Sequence, residues 1–403
     1  MCERESETEA RRIGQHARYL ITKLIDTKTH LDLVQYLQNT EIDTPGISTM
    51  EIVTSTKDPK VTARASLIVV TNTFPNENLD AMLHSTGNFS FKYEIIIIWS
   101  NIRQRGEIEH YLSDWNKSLP NLVKTKIVLM DFDRGVSYGK NVGAALAGSP
   151  NLIFVDDDVI VIEDPELLLQ YLEGNKCQGI QPLMLSLSRQ EIIDSAGDFI
   201  KKDNRGILYI PYSRGMGDSV SDLCKDLHVE EISSMRGAFM IVRKEALWAI
   251  GGFDNAFNFG YEEVDLGWRM IIFGYRLLVV PSVRVLHRGG RSTHPKRGDE
   301  KSILMHLVNY YVMNLKVTNN LGPYILTQFY RKLLDYEIWK IRNMGADFLD
   351  AAKGMLVATR LFVERLSFVS SHKRILDRKC WSNGRHKLEE LAKGRRFILE
   401  ESD

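Results

Sequence analysis

At 403 residues the chain is long enough for one large domain with appendages, or for two to three domains. A hydrophobic fraction of 44% and a charged fraction of 26% are those of an ordinary globular protein, and 52 basic against 52 acidic residues leave no net charge to favour a nucleic acid. The cysteines Cys2, Cys177, Cys224 and Cys380 lack metal spacing and fit reduced thiols of a cytosolic compartment, the acidic N-terminus is no signal peptide, and no apolar run approaches the ~18 residues of a membrane span.

Residues 1 to about 65 read as a polar, helix-leaning arm. Tyr19, Leu20, Leu24 and Ile25, then Leu31, Leu33, Val34 and Leu37, mark short amphipathic helices. The stretch from Asp43 to Arg64, with Pro45, Gly46 and Pro59, reads as a linker or edge segment.

At Ala65 the character changes. Ser66–Val70 is a buried strand ending in Thr71-Asn72-Thr73. Tyr93–Ile98 is a second, ending in Trp99, Ser100 and Asn101, and Lys126–Met130 a third, ending in Asp131 and Asp133. Helical stretches at about Glu77–Ser85, Ile108–Trp115 and Tyr138–Ala147 separate them. Strands that are apolar throughout and alternate with helices predict a parallel sheet covered on both faces. The polar residues at the carboxyl ends then line one cleft.

The fourth strand, Asn151-Leu152-Ile153-Phe154-Val155, runs into Asp156-Asp157-Asp158. Three crowded carboxylates repel unless a cation sits among them, and hard oxygen ligands suit Mg²⁺ or Mn²⁺. The alternative is a solvated turn or a set of helix caps. Before this strand, Gly135, Gly139, Asn141 and Gly143 surround a helix start, a pattern that suits either phosphate approach or close helix–sheet packing.

Further on, Glu262, Glu263 and Asp265 open a helix whose apolar face carries Leu266, Met270 and Phe273. They are helix-end electrostatics or a carboxylate base beside a substrate. Leu277–Pro281 and Val283–His287 read as two short strands, the second closed by His287, a structural histidine or a metal ligand. The loop from Ser186 to Ser233 is polar and suits an acceptor-side lid. From residue 293 the pattern is helical. Between Arg331 and Arg396 stand sixteen Lys/Arg against eight Asp/Glu, which suits either a solvated helical subdomain or contact with an anionic membrane surface.

Taken together, the Thr/Asn-ended strand, E-I-I-I-I, the glycine/asparagine turn, D-D-D, G-G-F-D, E-E-x-D-L and the final histidine resemble the inverting, metal-dependent glycosyltransferases of family 2, near the rhamnosyltransferase-like branch. The resemblance covers about Ser66 to Ser292. It implies an α/β, GT-A fold over 66–292, between an arm at 1–65 and a helical basic region at 293–403. It implies transfer of a sugar from a nucleotide-diphosphate donor to a saccharide or lipid-linked acceptor with Mn²⁺ or Mg²⁺, in a cytoplasmic or peripheral membrane protein able to form homo-oligomers.

By the same resemblance Asp156, Asp158 and His287 hold the metal, and Glu263 is the base with Glu262 before it. Thr71, Asn72, Thr73, Ser100, Gly139, Asn141, Asp156 and Asp157 line the nucleotide. Two positions depart from the pattern. Trp99 stands where an aspartate near the nucleobase is usual, so a uracil or thymine contact would have to come from elsewhere, and the base is Glu rather than Asp. Successive helical residues point about 100° apart, which separates Glu263 from Glu262, while Asp265 shares the side of Glu262. The rival readings are a sugar-phosphate nucleotidyltransferase, whose glycine-rich basic loop is missing after Thr71, and a non-catalytic binding subunit.

Overall fold

The computed structural model describes residues 50–57, 59–72, 77–100, 108–130, 134–223, 225–289, 300–318, 322–344, 354–355, 357–359, 361–365 and 378–398. The helices expected before residue 50 lie outside this set, as do Thr73, Asp131 and Asp133. Of Ser100 only the backbone is described.

In chain order the elements are β1 Met50–Thr56, β2 Ala65–Thr71, α1 Glu77–Ser85, β3 Tyr93–Ser100, α2 Ile108–Ser118, β4 Leu122–Met130, α3 Val136–Leu146, β5 Asn151–Val155 and β6 Val159–Val161. They continue with α4 Glu166–Glu173, β7 Gly179–Ser186, β8 Ile193–Ser195, β9 Asp198–Lys202, β10 Tyr209–Ser213, α5 Val220–Leu223, β11 Glu230–Glu231, β12 Phe239–Arg243, α6 Lys244–Ala249, α7 Glu262–Phe273 and β13 Leu277–His287. The last helices are α8 Glu300–Val317, α9 Gly322–Met344 and α10 Arg378–Ala392.

The main sheet runs β1-β4-β3-β2-β5-β12-β7-β13-β11, with β6 and β8 on its side branches. β2 pairs in parallel with both β3 and β5, and β3 with β4. β12 runs against β5 and β7, so β7 and β13 return to the common direction. This is the mixed, mostly parallel α/β sheet expected, with a helical C-terminal region. Leu67, Ile95, Ile97, Ile153 and Phe154 are fully buried. Each such side chain contributes about 1.5–3 kcal/mol on burial, which is why these strands carry no polar alternation.

Within the segment expected as linker or edge, Met50–Thr56 is an edge strand laid antiparallel on β4, its Ile52 facing Val128. One element differs from the sequence expectation: Leu277–His287 is one strand rather than two. Pro281 interrupts its ladder, so the register with β7 shifts between Val280 and Arg284 and then resumes. The Ser186–Ser233 loop contains β8, the β9–β10 hairpin and α5.

The carboxyl ends of β2, β5, β7 and β13 share one edge of the sheet. Thr71, Asp156, Ser186 and His287 stand there. α8 and α10 pack on α7, and α10 also reaches β9, so the C-terminal helices join the same body as the sheet.

Candidate active site

Leaving β5, the chain turns within the acidic triplet. The Asp156 N–H donates to the Ala238 carbonyl at 3.0 Å, the Val159 N–H to the Asp156 carbonyl at 3.3 Å, and the Arg288 N–H to the Asp158 carbonyl at 3.1 Å. This turn sends the three carboxylates to different tasks. Asp157, 2% exposed, accepts a hydrogen bond from the Thr71 hydroxyl at 2.7 Å and ties β5 to the end of β2. Asp156 and Asp158 face His287. One ligand atom from each of the three lies within 4.8 Å of the others, the one such group among the described residues.

Asp158 Oδ1 is 3.4 Å from His287 Nε2, and Asp194 Oδ2 is 2.8 Å from His287 Nδ1. Burial opposes charge on His287, but these two carboxylates outweigh it and lift its pKa to about 10. Burial also dominates at Asp156. With Asp158 and Asp157 adding repulsion against the pull of Lys140 and His287, its pKa is raised to about 6. Two carboxylates and an imidazole form a mixed O/N donor set, which fits Mn²⁺ better than Mg²⁺ with its preference for oxygen.

The glutamates stand at the start of α7, and the backbone reaches them through Gly260 at φ 75° and Tyr261 at φ 68°. A non-glycine residue in this region is strained by about 1–3 kcal/mol and persists only where its surroundings hold it. Here α8 holds it. The Asn309 side-chain amide donates to the Phe259 and Gly260 carbonyls, each at 2.8 Å. A Cβ on Gly260 would sit 2.9 Å from His306 Nε2, so α8 also excludes any larger residue there.

Glu262 is buried, with its Oε1 3.3 Å from the ammonium of Lys140 on α3. Burial works against the Glu262 charge, yet Lys140 prevails and holds the carboxyl below its ordinary range. Burial, followed by the Glu262 charge, pushes Glu263 well above it. The expected 100° separation at the backbone is thus undone by side-chain length: both carboxylates converge near Lys140. A Cβ on Gly237 would lie 3.2 Å from Lys140 Nζ and 3.7 Å from Glu263 Cδ, so that glycine makes room for the pair. Lys140 feels both glutamates as well as Asp156, and Arg236, which pairs with Asp198 at 3.7 Å, also feels Glu263, Asp194 and Asp156. These two cations link the acidic triplet to the glutamates.

Asp265 lies elsewhere. It accepts from Arg269 Nε at 2.8 Å and from Lys316 of α8 at 2.8 Å, while Lys316 also pairs with Asp254. This fully buried network anchors α7 to α8. The glycine turn is also a packing device. A Cβ on Gly139 would meet Val70 at 2.7 Å, and one on Gly143 would meet Ile68 at 2.4 Å. Asn141 clamps the loop after α6, donating to the Phe253 carbonyl at 2.8 Å and accepting from the Phe253 N–H at 2.9 Å. Trp99 is packed in the core and does not line the cleft. Asn72 stands exposed after β2.

Sequence reasoning missed Lys140, Asp194 and Arg236 as site residues. Lys140 left one signal, a lone cation on an otherwise apolar helix face, and Arg236 directly precedes the glycine that admits Glu263. Asp194 left none.

No protein-family model matches the chain. A curated relative, the N-acetylglucosaminyl-diphospho-decaprenol L-rhamnosyltransferase of Mycobacterium tuberculosis, is 39% identical over 59 residues, 15% of this chain and 19% of the relative. The chain therefore matches about a fifth of that protein's length.

Among solved structures, GalNAc-T7 with UDP, GalNAc and Mn²⁺ aligns with a TM-score of 0.46 at 18% identity, over 64% of this chain and 48% of that one. Mannosyltransferase PcManGT from Pyrobaculum calidifontis, with GDP-Man and Mn²⁺, aligns at 0.42 and 15% identity, over 93% and 98%. S. aureus TarS aligns at 0.45 and 13%, over 82% and 92%. At these scores the chain's own residues, not the likeness, carry the reading of function.

Proposed function

We propose that the chain is a metal-dependent glycosyltransferase that moves a sugar from a nucleoside-diphosphate donor to an acceptor hydroxyl with inversion. One observation carries the reading. Asp156, Asp158 and His287, a trio suited to a cation at the carboxyl edge of a mostly parallel sheet, lie within the electrostatic reach of Lys140, which also pairs with Glu262 beside Glu263. The short match to a rhamnosyltransferase named for a lipid-diphosphate saccharide supports a sugar donor and a lipid-linked acceptor.

Asp156, Asp158 and His287 would hold the divalent cation, with Mn²⁺ the better fit to their donor set. When bound, it supplies charge to a diphosphate leaving group. Lys140, on the path between the trio and the glutamates, adds positive field beside that group. Glu263 takes the proton of the attacking hydroxyl. Its raised pKa makes it a stronger base than a free carboxylate, and Glu262, kept ionised by Lys140, holds it there. A single displacement at the anomeric carbon inverts the configuration.

The test is a panel of UDP-, GDP- and TDP-sugars, read as Mn²⁺-dependent thermal stabilisation and donor hydrolysis, with product anomers assigned by NMR. The reading fails if no donor is bound or cleaved with Mn²⁺, or if the product retains its configuration.

No helix among the described residues is long and apolar enough to cross a membrane. α9 exposes Leu334 at 47% and Trp339 at 50% beside Arg331, Lys332 and Arg342, a face suited to an anionic bilayer on the cytoplasmic side. The chain should co-sediment with phosphatidylserine vesicles and release as salt rises. Failure to co-sediment at low salt leaves α9 as part of a solvated subdomain.

A further inference from the structure

We infer that Asp194 is a positioning residue for the metal centre, fixing His287 with its Nδ1–H directed away from the cation and its Nε2 aimed at it, to bind once the cation displaces the Nε2 proton. This rests on the function proposed above.

The backbone aims Asp194 at this task. β8 pairs with β7 through Met184↔Ser195 and Leu185↔Ile193, so Asp194 is the extra residue between two paired ones. Across this irregularity Asp194 keeps the ordinary alternation of a strand, which turns it away from the face of its neighbours. Its neighbours, Ile193 and Ser195, are both buried at 1% and 0%. Asp194 is turned instead toward the end of β13, where its Oδ2 lies 2.8 Å from His287 Nδ1. On the other side of the same ring, Nε2 faces Asp158 Oδ1 at 3.4 Å and belongs to the trio converging within 4.8 Å.

An imidazole can offer a lone pair to a cation from only one nitrogen at a time, and the partner of the other nitrogen decides which. A carboxylate on Nδ1 selects the Nδ1–H tautomer, makes the free nitrogen more basic and locks the ring plane.

MnCl₂ alone is the probe, titrated into the full chain and followed by the electron paramagnetic resonance signal of free Mn²⁺. Asp194→Ala should weaken Mn²⁺ binding by about 10–100-fold, the usual cost of removing such a partner. Asp194→Asn keeps an acceptor oxygen for Nδ1–H without the charge and should fall between the parent and the alanine variant. In a His287→Ala background, Asp194→Ala should cost little more, because its effect passes through the ring. Circular dichroism melts without metal exclude unfolding, and the isosteric asparagine variant serves if the alanine one fails to fold.

The inference is overturned if Asp194→Ala binds Mn²⁺ like the parent, or weakens it equally with and without His287, while His287→Ala itself loses affinity; the metal reading then survives. If the parent chain binds no Mn²⁺, both fall.

Discussion

Asp156, Asp158 and His287 stand on the ends of strands locked into one sheet, whereas Glu262 and Glu263 hang from a helix whose entry is held by α8, a segment far downstream. At the metal end, backbone bonds from Asp156 to Ala238 and from Arg288 to Asp158 fix the turn within the sheet itself. At the base end, Tyr261 is held in a left-handed conformation and Asn309 ties down the carbonyls before it. The two halves lie side by side but depend on different parts of the chain. The C-terminal region is therefore part of the machinery that aims the glutamates, whatever else its outer face touches.

The strongest separation of the halves comes from the metal side. Asp158→Ala should abolish turnover and Mn²⁺-dependent donor binding, with the far-UV circular dichroism spectrum preserved because Asp158 sits at a strand end. Donor affinity in the parent that is the same with and without Mn²⁺ would remove the metal from the reaction altogether.

On the base side, Glu263→Gln should lower single-turnover transfer by about 10²–10⁴-fold at saturating donor, with Mn²⁺ and donor affinity unchanged. Glu262→Gln should cost less in turnover. It should cost stability instead, because Lys140 then loses its ion-pair partner while still buried. If Glu262→Gln is inactive and Glu263→Gln turns over normally, the base moves back by one residue.

The contrast between the halves also explains what the sequence could tell. Asp156–Asp158 were legible because four buried apolar residues precede them, and a strand that apolar ends at a sheet edge. Gly139 and Gly143 let α3 pack closely on β2, one of the two roles the pattern suits; glycine spacing alone does not distinguish it from phosphate approach. The 100° argument separated Glu262 from Glu263 at the backbone but said nothing of where long side chains end, and that is decided by Lys140. Asn309 and His306 left no trace, since what they contact, Phe259 and Gly260, lies in a separate segment. Asp194 sits in a three-residue strand, too short for its alternation to be read in the sequence, and what it meets on β13 is set by the sheet.

The charge of Lys140 acts on both halves, and its removal should affect both in a pH-dependent way. Its charge favours the ionised forms of Glu262, Glu263 and Asp156. Without it, all three carboxyls hold their protons to higher pH. Lys140→Met should therefore shift the acid limb of the kcat/KM profile to higher pH, because Glu263 accepts a proton only once it is ionised. Mn²⁺ affinity should fall in acid for the same reason at Asp156. An acid limb that stays in place would mean that Lys140 does not set the ionisation of the base.

The smallest expected effect is the most discriminating. Asn309→Ala removes both hydrogen bonds to the Phe259 and Gly260 carbonyls while leaving every carboxylate and His287 in place. For these half-buried carbonyls the loss is at the low end of the roughly 1–3 kcal/mol of an unsatisfied buried group, and part of it is relieved by relaxing the strained turn. Relaxation swings the start of α7, so kcat should fall roughly tenfold, a loss of about 1.4 kcal/mol in transition-state stabilisation. The Mn²⁺ dissociation constant should not move, because the trio is tied to the sheet and not to α8. Equal losses in kcat and Mn²⁺ affinity would show that α8 supports the whole cleft and that the two halves are one mechanical unit. A fall in thermal stability with kcat intact would reduce Asn309 to a packing residue and leave the strain at Tyr261 without a role in aiming Glu263.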